Sequence, residues 1–142
     1  MIPRMIIGKA LALVLAVVLA FPAATSAEEI GWHECSRYER RVTCVVDGDT
    51  FWYQGTKIRL LDIDAPEIEG RCANERRLAQ AATVELIRLL NTGLVRIAYD
   101  GRDRYDRHLA RLWVLEGEVG PVMIAAGLAE PFGRRGLSPW CQ

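Results

Sequence analysis

One stretch of this chain accounts for both the fold and the chemistry that we expect of it. It reads Val46-Asp47-Gly48-Asp49-Thr50-Phe51-Trp52-Tyr53-Gln54-Gly55-Thr56-Lys57-Ile58-Arg59-Leu60-Leu61-Asp62-Ile63-Asp64-Ala65-Pro66-Glu67. Five acidic residues lie around one arginine, Arg59; they are Asp47, Asp49, Asp62, Asp64 and Glu67. Like charges at this density repel one another in a chain that folds back on itself, so a positive group is needed among them. A bound metal ion, together with an anionic substrate held by Arg59, would meet that need.

The same stretch predicts a β-hairpin. Residues 50–53 are rich in β-branched and aromatic side chains, and Gln54-Gly55 marks a turn into a second strand over 56–62. A shorter strand is predicted over 42–46, before the Asp47-Gly48-Asp49 turn. Because Pro66 ends strand pairing, residues 64–70 are predicted to form a loop.

Helical spacing of apolar residues predicts a helix over 74–90. Its apolar stripe consists of Leu78, Ala82, Leu86, Leu89 and Leu90. Further predictions are strands over 94–99 and 109–115, a turn at 116–118, a short helix over 120–126, and irregular segments over 28–41 and from 131. Five short strands with a helix after the third favour an α+β fold, a small twisted antiparallel β-barrel with helices packed against it.

Residues 1–27 have the features of a secretory signal peptide. Arg4 and Lys9 precede an apolar run of 12 residues, and Thr25-Ser26-Ala27 supplies small residues for cleavage. An uncleaved membrane anchor is the alternative, but a bilayer span needs about 20 apolar residues. Cleavage would leave 28–142 as a single domain with no stable membrane span, exported to the periplasm or out of the cell.

The charge balance limits how this domain could bind a polyanion. The leader holds two of the 18 basic residues and none of the 18 acidic ones, so residues 28–142 carry 16 basic and 18 acidic residues, a net charge of −2. Overall charge therefore does not draw the domain to nucleic acid. Any such affinity must come from a local cluster or a bound cation.

Four cysteines remain after removal of the leader. In an oxidising compartment two disulfides are their expected use. Three pairings are possible, and we favour Cys35 with Cys44 and Cys72 with Cys141. A four-cysteine zinc site is disfavoured because the sequence has no Cys-x-x-Cys pair.

The candidate site residues combine into one type of chemistry. Asp49 and Asp64 can hold a hard divalent cation through oxygen, and Glu67 can accept a proton from an attacking water. Arg59 and Arg107 can each grip phosphate oxygens with two hydrogen bonds. Because a phosphodiester gains negative charge as water attacks it, these groups predict metal-assisted phosphodiester hydrolysis.

Three motifs, in this order, resemble the staphylococcal nuclease (thermonuclease) family. They are Val46-Asp47-Gly48-Asp49-Thr50, Ile58-Arg59-Leu60-Leu61-Asp62-Ile63-Asp64-Ala65-Pro66-Glu67 and Asp103-Arg104-Tyr105-Asp106-Arg107-His108-Leu109-Ala110. The resemblance covers about 42–128. It implies a five-stranded OB-type β-barrel with helices, and a secreted, calcium-dependent nuclease that attacks DNA or RNA, expels the 5′-oxygen and leaves 3′-phosphate ends.

The resemblance also implies the calcium ligands. Asp49 and Asp64 match the family's calcium carboxylates. Ala65 stands where the family often has a threonine that ligates through its backbone carbonyl, so the change of side chain should matter little.

The remaining roles concern the substrate. Glu67 matches the carboxylate that orients or deprotonates the attacking water, and Arg59 and Arg107 match the two phosphate-binding, catalytic arginines. Tyr105 stands where the family has a tyrosine beside the nucleotide.

Departures from the family pattern concern the second arginine and the C-terminus. Asp106 replaces the glycine before Arg107; an Asp tolerates a left-handed backbone, but its charge is expected to lower phosphate affinity. The family's later tyrosines are missing, and Phe132, followed by Arg134 and Arg135, is the expected substitute.

The chain also stops before the family's third helix, so about two helices are expected, with the Cys72–Cys141 bridge taking over the clamping role. Asp106 and the missing tyrosines support one alternative, an OB-fold module of nuclease ancestry that binds nucleic acid or protein without cleaving it. In either case a monomer is expected. A further alternative is a disulfide-stapled envelope protein whose acids bind calcium structurally.

Overall fold

The predicted hairpin forms in the computed structural model, which describes residues 31–133 and 138–142. Strand β2 (Thr50–Tyr53) pairs antiparallel with β3 (Thr56–Leu60), and Gln54 and Gly55 turn the chain with positive φ values of 49° and 79°. The prediction of a strand over 56–62 is two residues too long. Leu61 and Asp62 form a turn instead, and Asp62 adopts a left-handed φ of 65°.

The main sheet joins this hairpin to three other strands. These are β1 (Cys44–Val45), β5 (Leu94–Arg102) and β6 (His108–Val114), in the order β1-β2-β3-β6-β5. The α+β fold predicted from the sequence is confirmed. One pairing differs from the antiparallel expectation, because β3 and β6 run parallel with Arg59 opposite Leu109. Parallel neighbours need a long crossover, which the segment between them supplies, and the pairing places Arg107 one strand away from Arg59.

Three two-residue strands were not predicted. β4 (Ile63–Asp64) pairs with β8 (Glu130–Pro131). β7 (Gly117–Glu118) pairs antiparallel with the last two residues of β6. Residue 64 was expected in a loop and residue 131 in an irregular tail. Pairing with β8 fixes the backbone at Asp64, so this small sheet positions one of the candidate site residues.

Two α-helices pack on the sheet within the described ranges. α1 (Ala73–Asn91) buries a face made by Glu75, Ala79, Ala82, Thr83, Leu86, Leu89 and Leu90. The predicted stripe is right except at its start, where Ala79 faces the core and Leu78 is half-buried. α2 (Val119–Ala125) matches the short helix expected over 120–126 and buries Val119 and Met123. No helix in the described ranges is both long and apolar enough to cross a membrane.

Both favoured disulfides are confirmed. Cys35 is bonded to Cys44 and Cys72 to Cys141, across sequence separations of 9 and 69 residues. The second bridge ties a 3₁₀ turn, η1 (Pro139–Cys141), to the start of α1. Residues 1–30 and 134–137 lie outside the described residues, and with them the predicted leader over 1–27, Arg134 and Arg135.

The lead-in expected to be irregular supplies a core residue. Trp32 is buried and stacks on Tyr53, with ring centroids 5.7 Å apart. Asn91, at the end of α1, accepts a hydrogen bond from the Trp32 backbone N–H at 2.9 Å and donates one to its carbonyl at 3.0 Å. These two bonds anchor the lead-in on the helix.

Candidate active site

Arg59 is the cation around which the site is built. It lies on β3, and the residue is 8% exposed. Its Nη1 donates to the carbonyls of Leu60 and Ile63 at 3.2 and 3.1 Å. Its Nη2 donates to Asp49 Oδ2 at 3.2 Å and to Asp64 Oδ1 at 2.8 Å. A buried guanidinium is tolerated because its donors are paired, and this pairing holds two carboxylates on either side of one nitrogen.

Asp49 lies in the turn that precedes β2. Its Oδ1 accepts from the Thr50 hydroxyl at 2.8 Å, and its Oδ2 accepts from the Ala65 N–H at 3.1 Å as well as from Arg59. The turn presses against α1, since a Cβ on Gly48 would lie 2.6 Å from the Ala82 Cβ. A residue larger than glycine at this position would push Asp49 away from Arg59.

A cavity of about 300 Å³, which we name the acidic cleft, opens beside this pair. It is lined by Asp64, Ala65, Glu67, Glu69, Gly70, Arg71, Glu75, Glu130, Ser138, Pro139 and Trp140. Its donors are carboxylate, hydroxyl and backbone oxygens, and the nearby cysteines are disulfide-bonded. An oxygen donor set of this kind suits a hard divalent cation, so the residues present fit calcium.

Three acids have pKa values above their ordinary range: Asp64 and Glu67, which line the acidic cleft, and Asp47, which accepts from the Asp49 N–H. Burial raises the pKa of Asp47 to about 7, and the neighbouring charge of Asp49 adds to this effect. Desolvation, followed by the charge of Asp49, also raises the pKa of Asp64 and that of Glu67. Arg59 opposes both shifts without cancelling them, so the cluster holds more negative charge than its own cation neutralises.

A second cavity, of about 560 Å³, lies on the other side of Arg59, and we name it the arginine groove. It is lined by Arg59, Leu61, Asp62, Asp103, Arg104, Tyr105, Arg107, Leu109 and Phe132. The ring of Phe132 lies 5.1 Å from the Arg59 guanidinium carbon, and that of Tyr105 lies 5.5 Å from the Arg107 carbon. Three guanidiniums, those of Arg59, Arg104 and Arg107, and two exposed aromatic rings in one groove suit a phosphate with bases attached.

Asp103 positions Arg107. Its Oδ1 accepts from the Arg107 backbone N–H at 3.0 Å, and its Oδ2 accepts from the Arg107 Nε at 2.7 Å. The Arg107 backbone and Nε thus bind the same carboxylate, which orients the guanidinium at the edge of the arginine groove.

Asp106 adopts the left-handed backbone expected of a residue that replaces glycine, with φ of 61°. Its carboxylate pairs with Arg102 Nη1 at 2.5 Å and lines a different cavity from Arg107. The expected effect of Asp106 on the phosphate affinity of Arg107 stays a prediction. The acid bound to Arg107 is Asp103.

Comparison with known proteins identifies the family of this chain. The sequence model of the family described as Staphylococcal nuclease homologue matches residues 57–135, more than half of the chain. The chain belongs to the staphylococcal nuclease family. Family membership covers the hairpin strand that carries Arg59, the loop that carries Arg107, and the helices between and after them.

Several curated relatives of this nuclease-family chain carry endonuclease names. An uncharacterized endonuclease of Escherichia coli O157:H7 is 30% identical over 110 residues, covering 74% of this chain and 68% of that protein. An uncharacterized endonuclease of Haemophilus influenzae is 32% identical over 102 residues, covering 67% of this chain and 54% of that protein. The probable endonuclease LCL3 of Phaeosphaeria nodorum is 40% identical over 76 residues, 51% of this chain and 26% of that protein. The chain thus spans between a quarter and just over half of the last two.

The predicted site residues of this nuclease-family chain divide between the two cavities. Asp64, Ala65 and Glu67 line the acidic cleft, while Tyr105 and Arg107 line the arginine groove. Arg59 connects them, because it lines the groove and bonds to Asp49 and to Asp64 of the cleft. His33 and His108 line neither cavity.

Sequence reasoning missed several residues of the acidic cleft. Glu130 reaches it through the β4–β8 pairing, and Trp140 through the Cys72–Cys141 bridge. Glu75 also lines the cleft; it is buried and accepts from the Arg71 N–H at 2.9 Å. The position of Glu75 in the first turn of α1 was a sequence feature that could have indicated its role. No sequence pattern indicated Glu130 or Trp140.

Proposed function

We propose that this chain is a calcium-dependent nuclease that hydrolyses phosphodiester bonds of DNA or RNA and leaves 3′-phosphate ends. The observation that carries the proposal is the position of Arg59 between the acidic cleft and the arginine groove. A phosphate seated against Arg59 would lie beside carboxylates that can hold a cation. Family membership and the endonuclease names of the relatives support the same reaction class.

Asp49, Asp64 and the backbone carbonyl of Ala65 would hold the calcium ion. When bound, the ion neutralises charge on the phosphate and stabilises the charge that develops during attack. The raised pKa values of Asp64 and Glu67 support this assignment, because a cation would relieve the repulsion that causes part of each shift.

The chain's own residues carry the rest of the reaction. Arg59 and Arg107 hold the non-bridging phosphate oxygens, whose negative charge grows as water attacks. Glu67 takes one proton from that water as its oxygen bonds to phosphorus. The bond from phosphorus to the 5′-oxygen breaks, the 5′-oxygen takes a proton from solvent, and the phosphate stays on the 3′-oxygen. Glu67 lines the acidic cleft, where its carboxylate can accept this proton.

Export is part of the proposal. The leader predicted over 1–27 would direct the chain to the periplasm or outside the cell. Two disulfides in a domain of this size suit an oxidising compartment. We also propose that the domain acts as a monomer.

The proposal is tested with purified protein and three substrates: plasmid, single-stranded DNA and RNA. We expect cleavage with Ca²⁺ and none with EGTA. Glu67→Gln should lower kcat by about 10²–10⁴-fold while the fold persists, since a general base contributes that much. Glu116→Gln is the matched control, because Glu116 pairs with Arg88 away from both cavities. Equal activity in chelator would remove the metal role.

A parallel pair of variants tests the arginine groove. Arg107→Ala should lower kcat/KM steeply, whereas Arg96→Ala should not, because Arg96 stacks on Trp113 and lines neither cavity of the site. End-labelled products treated with a phosphatase would report whether the phosphate stays on the 3′ end. Calcium-responsive binding of DNA without any cleavage would instead favour the alternative of a non-cleaving module.

A further inference from the structure

The loop that carries Arg107 also borders a third cavity, of about 330 Å³, which we name the Trp52 pocket. It is lined by Trp52, Gly55, Thr56, Lys57, Arg102, Asp106 and His108. Along this loop, Asp103, Tyr105 and Arg107 line the arginine groove, while Asp106 lines the Trp52 pocket. One short loop therefore forms part of both cavities.

The Trp52 pocket contains an indole N–H without a partner. Trp52 Nε1 is buried and forms no hydrogen bond with any part of the chain that the structure describes. An indole nitrogen can donate but not accept, and leaving a buried donor unpaired costs free energy. A small movement of the side chain would let a ligand in the pocket reach this nitrogen, and that ligand would have to present an acceptor atom.

The pocket also contains an uncompensated positive charge. Lys57 lies opposite Trp52 in the β2–β3 register and takes part in no ion pair between described residues. The other strong cation, Arg102, is already neutralised by Asp106 at 2.5 Å. A lysine and an indole donor side by side fit an acceptor that carries negative charge, such as a phosphate oxygen.

The register of the hairpin places this pocket in line with the proposed active site. Trp52 pairs with Lys57, and Thr50 pairs with Arg59, two residues further along each strand. Side chains two residues apart on a strand point to the same face, and lie about 7 Å apart. Lys57 and Arg59 therefore follow one another on a single face, as contacts to a nucleic-acid backbone do.

We infer that the Trp52 pocket binds a second backbone phosphate of the strand whose scissile phosphate lies in the arginine groove. The inference rests on the proposed function for the identity of the ligand. Lys57 supplies the charge, Trp52 Nε1 supplies a neutral hydrogen bond, and the Arg102–Asp106 pair fixes the rim. The pocket then favours substrates longer than a dinucleotide.

Binding measurements test this subsite without depending on cleavage. Fluorescence anisotropy of a labelled thymidine octamer and a labelled thymidine dinucleotide would be recorded in the Glu67→Gln background over a range of salt. We expect Lys57→Gln to weaken octamer binding roughly tenfold. The slope of log K against log salt should become shallower by about 0.7, the value for one lost phosphate contact on a single strand. Dinucleotide binding should not change.

Two further variants separate the subsite from a general effect. Trp52→Phe keeps an aromatic side chain, although a smaller one, and removes the donor, so it should weaken octamer binding at an unchanged salt slope. Arg96→Gln removes a charge away from the pocket and should change neither ligand. Equal losses for octamer and dinucleotide, or an unchanged salt slope in Lys57→Gln, would overturn the inference.

Failure of the proposed function gives a different result. Wild-type protein that binds the octamer with the expected Lys57 dependence but cleaves nothing would refute the nuclease and support the subsite. Cleavage of octamer and dinucleotide with equal kcat/KM, unaffected by Lys57→Gln, would refute the subsite and leave the nuclease standing.

Discussion

The Cys72–Cys141 disulfide should contribute more to the free energy of unfolding than Cys35–Cys44 does. It should also help to shape the acidic cleft. It closes a separation of 69 residues, against 9 for Cys35–Cys44. From the loop-closure entropy of the unfolded chain, we expect its removal to cost about 4 kcal/mol and removal of the shorter bridge about 2.5 kcal/mol. Cys72→Ser keeps an oxygen at the N-cap of α1, where the Cys72 Sγ now accepts from the Glu75 N–H, so the loss reports the crosslink.

The measurement is urea unfolding of the double variants Cys72→Ser/Cys141→Ser and Cys35→Ser/Cys44→Ser, followed by tryptophan fluorescence. Small domains have about 5–15 kcal/mol of stability, so the first pair should lose a large share of it. Equal losses, or a larger loss from the shorter loop, would refute the entropic argument.

The same variants separate stability from function. Trp140 lines the acidic cleft, and its carbonyl accepts from Asn74 Nδ2 at 2.8 Å beside the bridge. Loss of the long bridge should therefore raise the calcium concentration needed for half-maximal activity under conditions where the protein is folded. Loss of the short bridge should leave that concentration unchanged. An unchanged calcium requirement in both variants would show that this C-terminal turn does not shape the cleft.

Three further changes test other parts of the structure. Arg59→Lys should cost about 2 kcal/mol or more and reduce activity, because lysine cannot replace the four hydrogen bonds of the buried guanidinium; urea unfolding and initial rates check this. Asp47→Asn should be more stable than wild type at pH 8 in chelator. The pKa of Asp47 is about 7 in the folded protein and about 4 in the unfolded chain, so the stability of the wild type falls as the pH rises between these values. Thermal melts across that pH range should show a flatter stability profile for the variant. Asn91→Ala should cost about 2 kcal/mol in urea unfolding without changing activity, since it removes both bonds to the Trp32 backbone.

Local patterns explain which parts of the fold could be predicted. The hairpin follows from Gln54-Gly55 between two β-rich runs, and α1 follows from apolar spacing sustained over four turns. The β4–β8 pair could not be predicted because two-residue strands show no periodicity. The parallel pairing of β3 with β6 depends on contacts between distant segments, which a single sequence does not display.

The candidate site was predictable as a set of residues rather than as an arrangement. The motifs indicated Asp49, Arg59 and Asp64, but their contact through one nitrogen depends on the turn made by left-handed Asp62. The direction of the Asp106 carboxylate was not predictable either. Loop dihedral angles turn it toward Arg102, and sequence adjacency alone had suggested an effect on its neighbour.

Calorimetric titration with a nucleoside 3′,5′-bisphosphate, in calcium and in EGTA, tests whether the acidic cleft and the arginine groove form one site. We propose that phosphate binding by the arginines depends on a cation held by the neighbouring acids. The bisphosphate should therefore bind one-to-one in calcium. Binding should be lost in EGTA and greatly weakened by Arg107→Ala. Equal affinity in calcium and in chelator, or no binding in either, would contradict the claim that the acidic cleft and the arginine groove form one site.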